Sequence, residues 1–195
     1  MTISDVDARQ RCNWWEGTDA LMLAYHDDEW GIPCHDDDAL YERLMLECFQ
    51  AGLSWATILR KRENFRRAFD GWNIPQVVQY GPDDTARLMA DAGIVRNRAK
   101  IAAATTNARG VLALQVEFGT FNRYLWSFVG GAPLVKPTPR SPQEVPNTTA
   151  ESDTLSKDLK RRGFAFVGST ICYALMQSVG MVNDHLVGCF RATPV

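Results

Sequence analysis

The sequence has no apolar run near the roughly 18 residues that a membrane-spanning helix needs. Its first ten residues, MTISDVDARQ, carry two acids and no apolar stretch, so no secretory leader is expected. Cysteine is scarce and odd in number: five, at positions 12, 34, 48, 172 and 189, irregularly spaced. That argues against a disulfide framework and for a reducing, cytoplasmic setting. Alternating strand patterns are nearly absent as well. What is present is a globular composition, 46% hydrophobic and 23% charged over 195 residues, enough to bury a core as one unit spanning 1–195.

Net charge is only −2, but it is unevenly distributed. Residues 1–50 hold three bases and twelve acids; the remainder holds eighteen bases and eleven acids. Basic clusters fall at 60–67, at 96–109 and at 157–162. One basic face could meet a polyanion while the acidic segment faces away; solvated helix faces are the plainer reading.

The spacing of apolar residues and caps predicts an all-α chain. Acids at 36–38 start a helix that runs to about Gln50. Ser54 caps the next, to about Phe69. Further helices are expected over 82–93, 98–118, 120–129, 152–162 and 168–180, with the central helical part at about 36–129. Residues 130–149 hold five of the nine prolines and read as an irregular surface connection.

Two constellations carry chemistry. Cys12 and His26 near one end, with His185 and Cys189 at the other, make a tetrahedral Cys2His2 set, and one helical turn would align the last two. Cys34 and His35 are alternatives, although adjacent residues seldom both face one ion. A site filled by four protein ligands has no open position, so it is structural. The other constellation centres on Glu47, which lies on the apolar stripe of its helix three residues past Leu44. A carboxylate there must find a donor, a cation or a wet cavity; otherwise it turns outward or pairs with Arg43. Trp14, Trp15, Tyr25, Trp30, Phe49 and Trp55 surround it in sequence. An aromatic box with one acid suits a flat, positively charged heterocycle. Finally GFAFVGST, 163–170, joins a basic helix to an apolar one through a glycine turn whose N–H groups could hold a phosphate.

Together these segments resemble the helix–hairpin–helix DNA glycosylases, and most closely the type I DNA-3-methyladenine glycosylases. RCNW (11–14), AYHDDEWGIP (24–33), QAGLSW (50–55), KREN (61–64), WSF (126–128) and the stretch from RGFAFVG (162–168) to Cys189 carry the likeness. The resemblance implies one structural zinc ion on Cys12, His26, His185 and Cys189. It also implies a base pocket with Glu47 as the acid contacting the methylated base and Trp55 stacking on it, beside Tyr25, Trp14 and Trp30. Leu53 would probe the duplex. The hairpin, about 163–170, would bind backbone phosphates through Val167, Gly168, Ser169 and Thr170.

The sequence departs from the wider superfamily where an assisting aspartate is Asn183 and a lyase lysine is Ser169; both changes agree with the type I branch. Met22 replaces a pocket tyrosine often found there, and Phe166 stands where a first hairpin glycine is common. The expected activity is excision of N3-methyladenine from double-stranded alkylated DNA by a monomer without lyase activity, in the cytoplasm and on the nucleoid. A non-catalytic binder of damaged or abasic DNA is the alternative.

Overall fold

A computed structural model describes residues 9–13 and 19–192. Nine α-helices and no strand occur among them: α1 Ala20–Asp28, α2 Asp37–Gln50, α3 Trp55–Ala68, α4 Ile74–Val77, α5 Pro82–Ala90, α6 Arg98–Phe118, α7 Phe121–Ser127, α8 Ala150–Arg161 and α9 Ser169–Ser178.

Local chemistry sets most boundaries. Asp36 caps α2 by accepting from the Ala39 N–H at 2.9 Å, and Ser54 caps α3 from Thr57 at 3.3 Å. Such caps contribute about 1 kcal/mol each. Asp37, in the first turn of α2, reaches outward too: its carboxylate accepts from the Phe121 and Asn122 N–H groups at the start of α7, at 2.9 and 2.8 Å. One acid thus serves two helix N-termini, which fixes α7 against α2.

Helix α2 packs against α3, α6, α7 and α9. Its second half is buried all round, from Leu44 through Phe49. Phe49, Phe65, Phe69 and Trp72 extend this core as an aromatic cluster, with the Phe69 and Trp72 rings stacked at 4.5 Å.

Helix α1 was not expected. Its buried residues, Met22, Tyr25, His26 and Asp27, are partly polar, while Leu21 is exposed, so periodicity hides it. The helix expected over 82–93 ends at Ala90, where the Asp91 carboxylate accepts from the Gly93 N–H at 2.7 Å and forms a turn. Residues 185–189 are a turn rather than the expected helical turn; Gly188 has φ +88° and the Cys189 N–H donates to the Leu186 carbonyl.

Chain ends meet at α9. The Gly31 and Cys34 N–H groups donate to the Gln177 and Val179 carbonyls, at 2.9 and 3.0 Å. Gly180 (φ +74°) makes this possible: a Cβ there would sit 2.4 Å from the Ile32 carbonyl carbon. The proline-rich connection is tied down on the same side, with the Leu134 N–H donating to Met181 and the Val187 N–H to Pro139. No helix among the described residues is long and apolar enough to cross a membrane.

Candidate functional site

A cavity of about 270 Å³ opens between the C-terminal half of α2 and the joined chain ends. This is just below the roughly 300–1,000 Å³ of sites for drug-sized ligands, so it suits one small heterocycle. Tyr25, Trp30, Glu47, Gln50 and Trp55 form one part of the wall. Pro142, Val145, Ala174, Gln177, Asp184 and Leu186 complete it.

Glu47 is buried, 3% exposed, and accepts no hydrogen bond among the described residues. Loss of hydration lifts its carboxyl to about 8, with Arg43 opposing weakly. It does not pair with Arg43, whose guanidinium donates to the Ser178 carbonyl and lies 3.9 Å from Glu29. The group is therefore a neutral carboxyl near pH 7, poised to give up its proton when a cation enters.

The aromatic wall is built from two helices. Tyr25 on α1 and Trp55 at the start of α3 meet at 5.0 Å with their planes 47° apart. Tyr25 stays a protonated phenol, because burial and the neighbouring Glu47 both push its ionisation far up. The Trp55 Nε1 is buried without a hydrogen-bond partner among the described residues. Met22 packs with Tyr25 and Leu59 and does not line the cavity. Trp14 lies outside the described residues.

Trp30 links the cavity to a second site: it lines the cavity while its ring meets that of His185 edge-on at 4.6 Å. Beyond it, Cys12, His26 and Cys189 are buried with their donor atoms within 4.8 Å of one another, a group able to hold a metal ion. His185 stands outside that trio, but its ring is 4.7 Å from that of His26 and its Nε2 is buried without a partner. Burial lowers both imidazoles, His185 to about 4, so both are neutral near pH 7 and can offer lone pairs. The Asp27 carboxylate accepts from His26 Nδ1 at 2.7 Å, and two soft thiols complete a donor set suited to a borderline metal. Cys34 and His35 are elsewhere: the Cys34 carbonyl accepts from Trp126 Nε1, and the His35 ring bonds to Asn122.

Leu53 is 41% exposed in the turn between α2 and α3. The turn between α8 and α9 presents Gly168, Ser169 and Thr170 at the start of α9, where Gly168 supplies no side-chain cap and leaves the first N–H groups available. Val167 is different: its side chain is buried and its carbonyl accepts from Ser156 Oγ at 2.6 Å. The basic cluster at 60–67 is largely engaged internally, Arg60 with Asp19, Arg62 with Glu29, and Arg66 with Glu42 and Glu63. Exposed Arg96, Arg98, Arg109, Lys157 and Lys160 have no ion pair among the described residues.

Sequence reasoning missed half the wall. Pro142 and Val145 come from the connection read as mere surface, and nothing local marks them. Asp184 adjoins His185 yet points elsewhere, accepting from Tyr173 Oη and Gln177 Nε2 at 2.7 and 2.8 Å and from Lys136.

The methyladenine glycosylase family model matches residues 14–192. DNA-3-methyladenine glycosylase 1 of Escherichia coli (strain K12) is 48% identical over 180 residues, covering 92% of this chain and 95% of the relative. The Haemophilus influenzae DNA-3-methyladenine glycosylase is 43% identical over 179 residues, covering 92% and 96%. Among solved structures, 3-methyladenine DNA glycosylase I from Staphylococcus aureus, described for its 3-methyladenine recognition, superposes with a TM-score of 0.87 at 35% identity, over 92% of this chain and 95% of that one.

Proposed function

Given that this chain belongs to the methyladenine glycosylase family, we propose that it is a DNA-3-methyladenine glycosylase of base-excision repair. It hydrolyses the N-glycosidic bond of N3-methyladenine in double-stranded alkylated DNA, as a single monomeric unit without lyase activity. The observation that carries this reading is the isolated acid of the cavity, Glu47, facing an aromatic wall.

Alkylation at N3 makes the base cationic and a good leaving group, so the chemistry needs neither a strong base nor a protein nucleophile. Extruding the nucleotide brings the base against Trp55 and Tyr25. Glu47 then ionises against the cation and accepts from the adenine edge, an interaction a neutral adenine does not earn. Leu53 occupies the gap in the duplex. The turn at 166–170 holds the backbone through the N–H groups of Val167, Gly168, Ser169 and Thr170.

A structural zinc ion on Cys12, His26, His185 and Cys189 fits the donor set and the otherwise orphaned His185 Nε2. Bound there, the ion would join the segments near the two chain ends.

Chromatography of bases released from methylated duplex DNA tests the proposal. Release of 3-methyladenine with normal adenine left in place is expected. A folded protein that binds such DNA and releases nothing would instead be a damage binder.

A further inference from the structure

The longest helix, α6, carries two buried polar side chains that the chemistry does not use. Lys100 is 6% exposed and Asn107 fully buried. They lie seven residues apart, two helical turns and roughly 10 Å along one face.

Both grip backbone rather than each other. The Lys100 ammonium donates to the Phe49 and Ala51 carbonyls, at 2.9 and 2.6 Å. These lie at the C-terminal end of α2, where a cation is favoured, and Ala51 opens the turn that presents Leu53. The Asn107 amide clasps the Ala165 backbone: its Oδ1 accepts from the Ala165 N–H at 2.8 Å and its Nδ2 donates to the Ala165 carbonyl at 3.1 Å, while the same Nδ2 also reaches Met45 Sδ on α2 at 3.4 Å. Next to it the Cys48 thiol, one residue after Glu47, donates to the Phe166 carbonyl at 3.3 Å. Gly110, one turn beyond Asn107, leaves the groove that receives Phe164: a Cβ there would lie 2.3 Å from that ring. Phe166, held between these contacts, adopts φ +56°, which a bulky residue keeps only when its surroundings impose it.

We propose that Lys100 and Asn107 are positioning residues that set the separation between the two loops engaging the duplex, the 51–54 turn and the 163–168 turn. The inference rests on the DNA-glycosylase reading above. Each loop's own backbone bonds are local turn bonds to the helix before it, Leu53 N–H to the Gln50 carbonyl and Gly163 N–H to the Lys160 carbonyl, so its placement relative to the other loop depends on anchors from a third element. A rigid helix holding both anchors makes their spacing a single dimension, matched to the distance between the emptied base site and the phosphates. Fully satisfied buried polar groups specify geometry in a way that an apolar contact does not.

The test compares two affinities in one protein. Lys100→Met and Asn107→Leu, with the milder Lys100→Gln and Asn107→Ser in case the first pair fails to fold, are titrated with a duplex containing a tetrahydrofuran abasic site. The same variants are titrated with free 3-methyladenine by tryptophan fluorescence. Leu175→Ala, a fully buried site on α9, serves as a control for lost stability alone. Duplex affinity is expected to fall roughly tenfold or more, with base affinity within about twofold of wild type and the control keeping both. Duplex affinity that is unchanged, falls in step with base affinity, or falls equally in Leu175→Ala overturns the inference. A wild-type protein that binds neither ligand overturns the glycosylase reading and this one with it. Wild-type binding of both, matched by the variants, removes only the positioning role.

Discussion

The Asn183 side chain holds the His185 imidazole in one tautomer. Its Nδ2 donates to the Arg191 carbonyl at 3.0 Å, which turns Oδ1 toward His185, where it accepts from the backbone N–H at 3.0 Å and from Nδ1 at 2.9 Å. Nδ1 therefore carries the proton and Nε2 the lone pair. Asn183 thus orients the His185 imidazole beside Cys12, His26 and Cys189, and both lone pairs of its Oδ1 are taken, so the oxygen has no acceptor left for an attacking water.

Replacing Asn183 by Leu should accordingly loosen metal binding without touching the base pocket. Loss of such an outer partner typically lowers metal affinity about 10–100-fold. Competition against a chromophoric chelator would register this, with 3-methyladenine affinity unchanged. Stripping the metal should lower the melting temperature, and Cys189→Ser should reproduce that loss; an unaltered melting temperature in both would refute the structural role.

Glu47→Gln should separate stability from activity. The wild-type carboxyl, raised from 4.5 to about 8 by burial, keeps a proton in the folded state that the unfolded chain releases. Stability therefore declines as pH rises from 4.5 to about 8, at a cost on the order of 3 kcal/mol at pH 7. The glutamine variant escapes this, so it should melt above wild type at pH 7 and level with it near about pH 4. Base excision should be nearly abolished. Thermal melts across pH, run beside a base-release assay, check both halves.

Trp55→Ala should weaken binding of the methylated base through lost stacking. Base–aromatic stacking contributes about 1–3 kcal/mol, or roughly 5- to 150-fold in affinity. Trp55→Phe should recover part of it, since the indole Nε1 has no partner among the described residues. Equilibrium titration with 3-methyladenine distinguishes the three proteins.

Salt dependence should map the basic residues that meet DNA. Arg96, Arg98 and Lys160 are exposed without ion pairs among the described residues, whereas Arg62 and Arg66 are tied to Glu29 and Glu42. Neutralising a residue that contacts phosphate should reduce the slope of log affinity against log salt by about 1. Arg62→Ala should leave that slope unchanged. Equal slopes for all variants would place the DNA on another face.

The sequence by itself determined the helices with caps and regular apolar spacing, because those signals are local. Asp36 and Ser54 each stop the chain from entering a helix one residue earlier, and α2 and α3 follow them closely. It also marked Glu47, because an acid on an apolar stripe conflicts with its neighbours within one turn. Tertiary structure alone decided the rest. The burial that lifts Glu47, the far wall from Pro142 and Val145, and the pairing of Arg62 with Glu29 and of Arg66 with Glu42 depend on residues far apart in sequence, 33 and 24 positions for the two arginines, meeting in space. Helix α1 and the 185–189 turn belong here too, since their side chains are sorted by the ligand cluster and cavity between them. No period along the chain records that sorting.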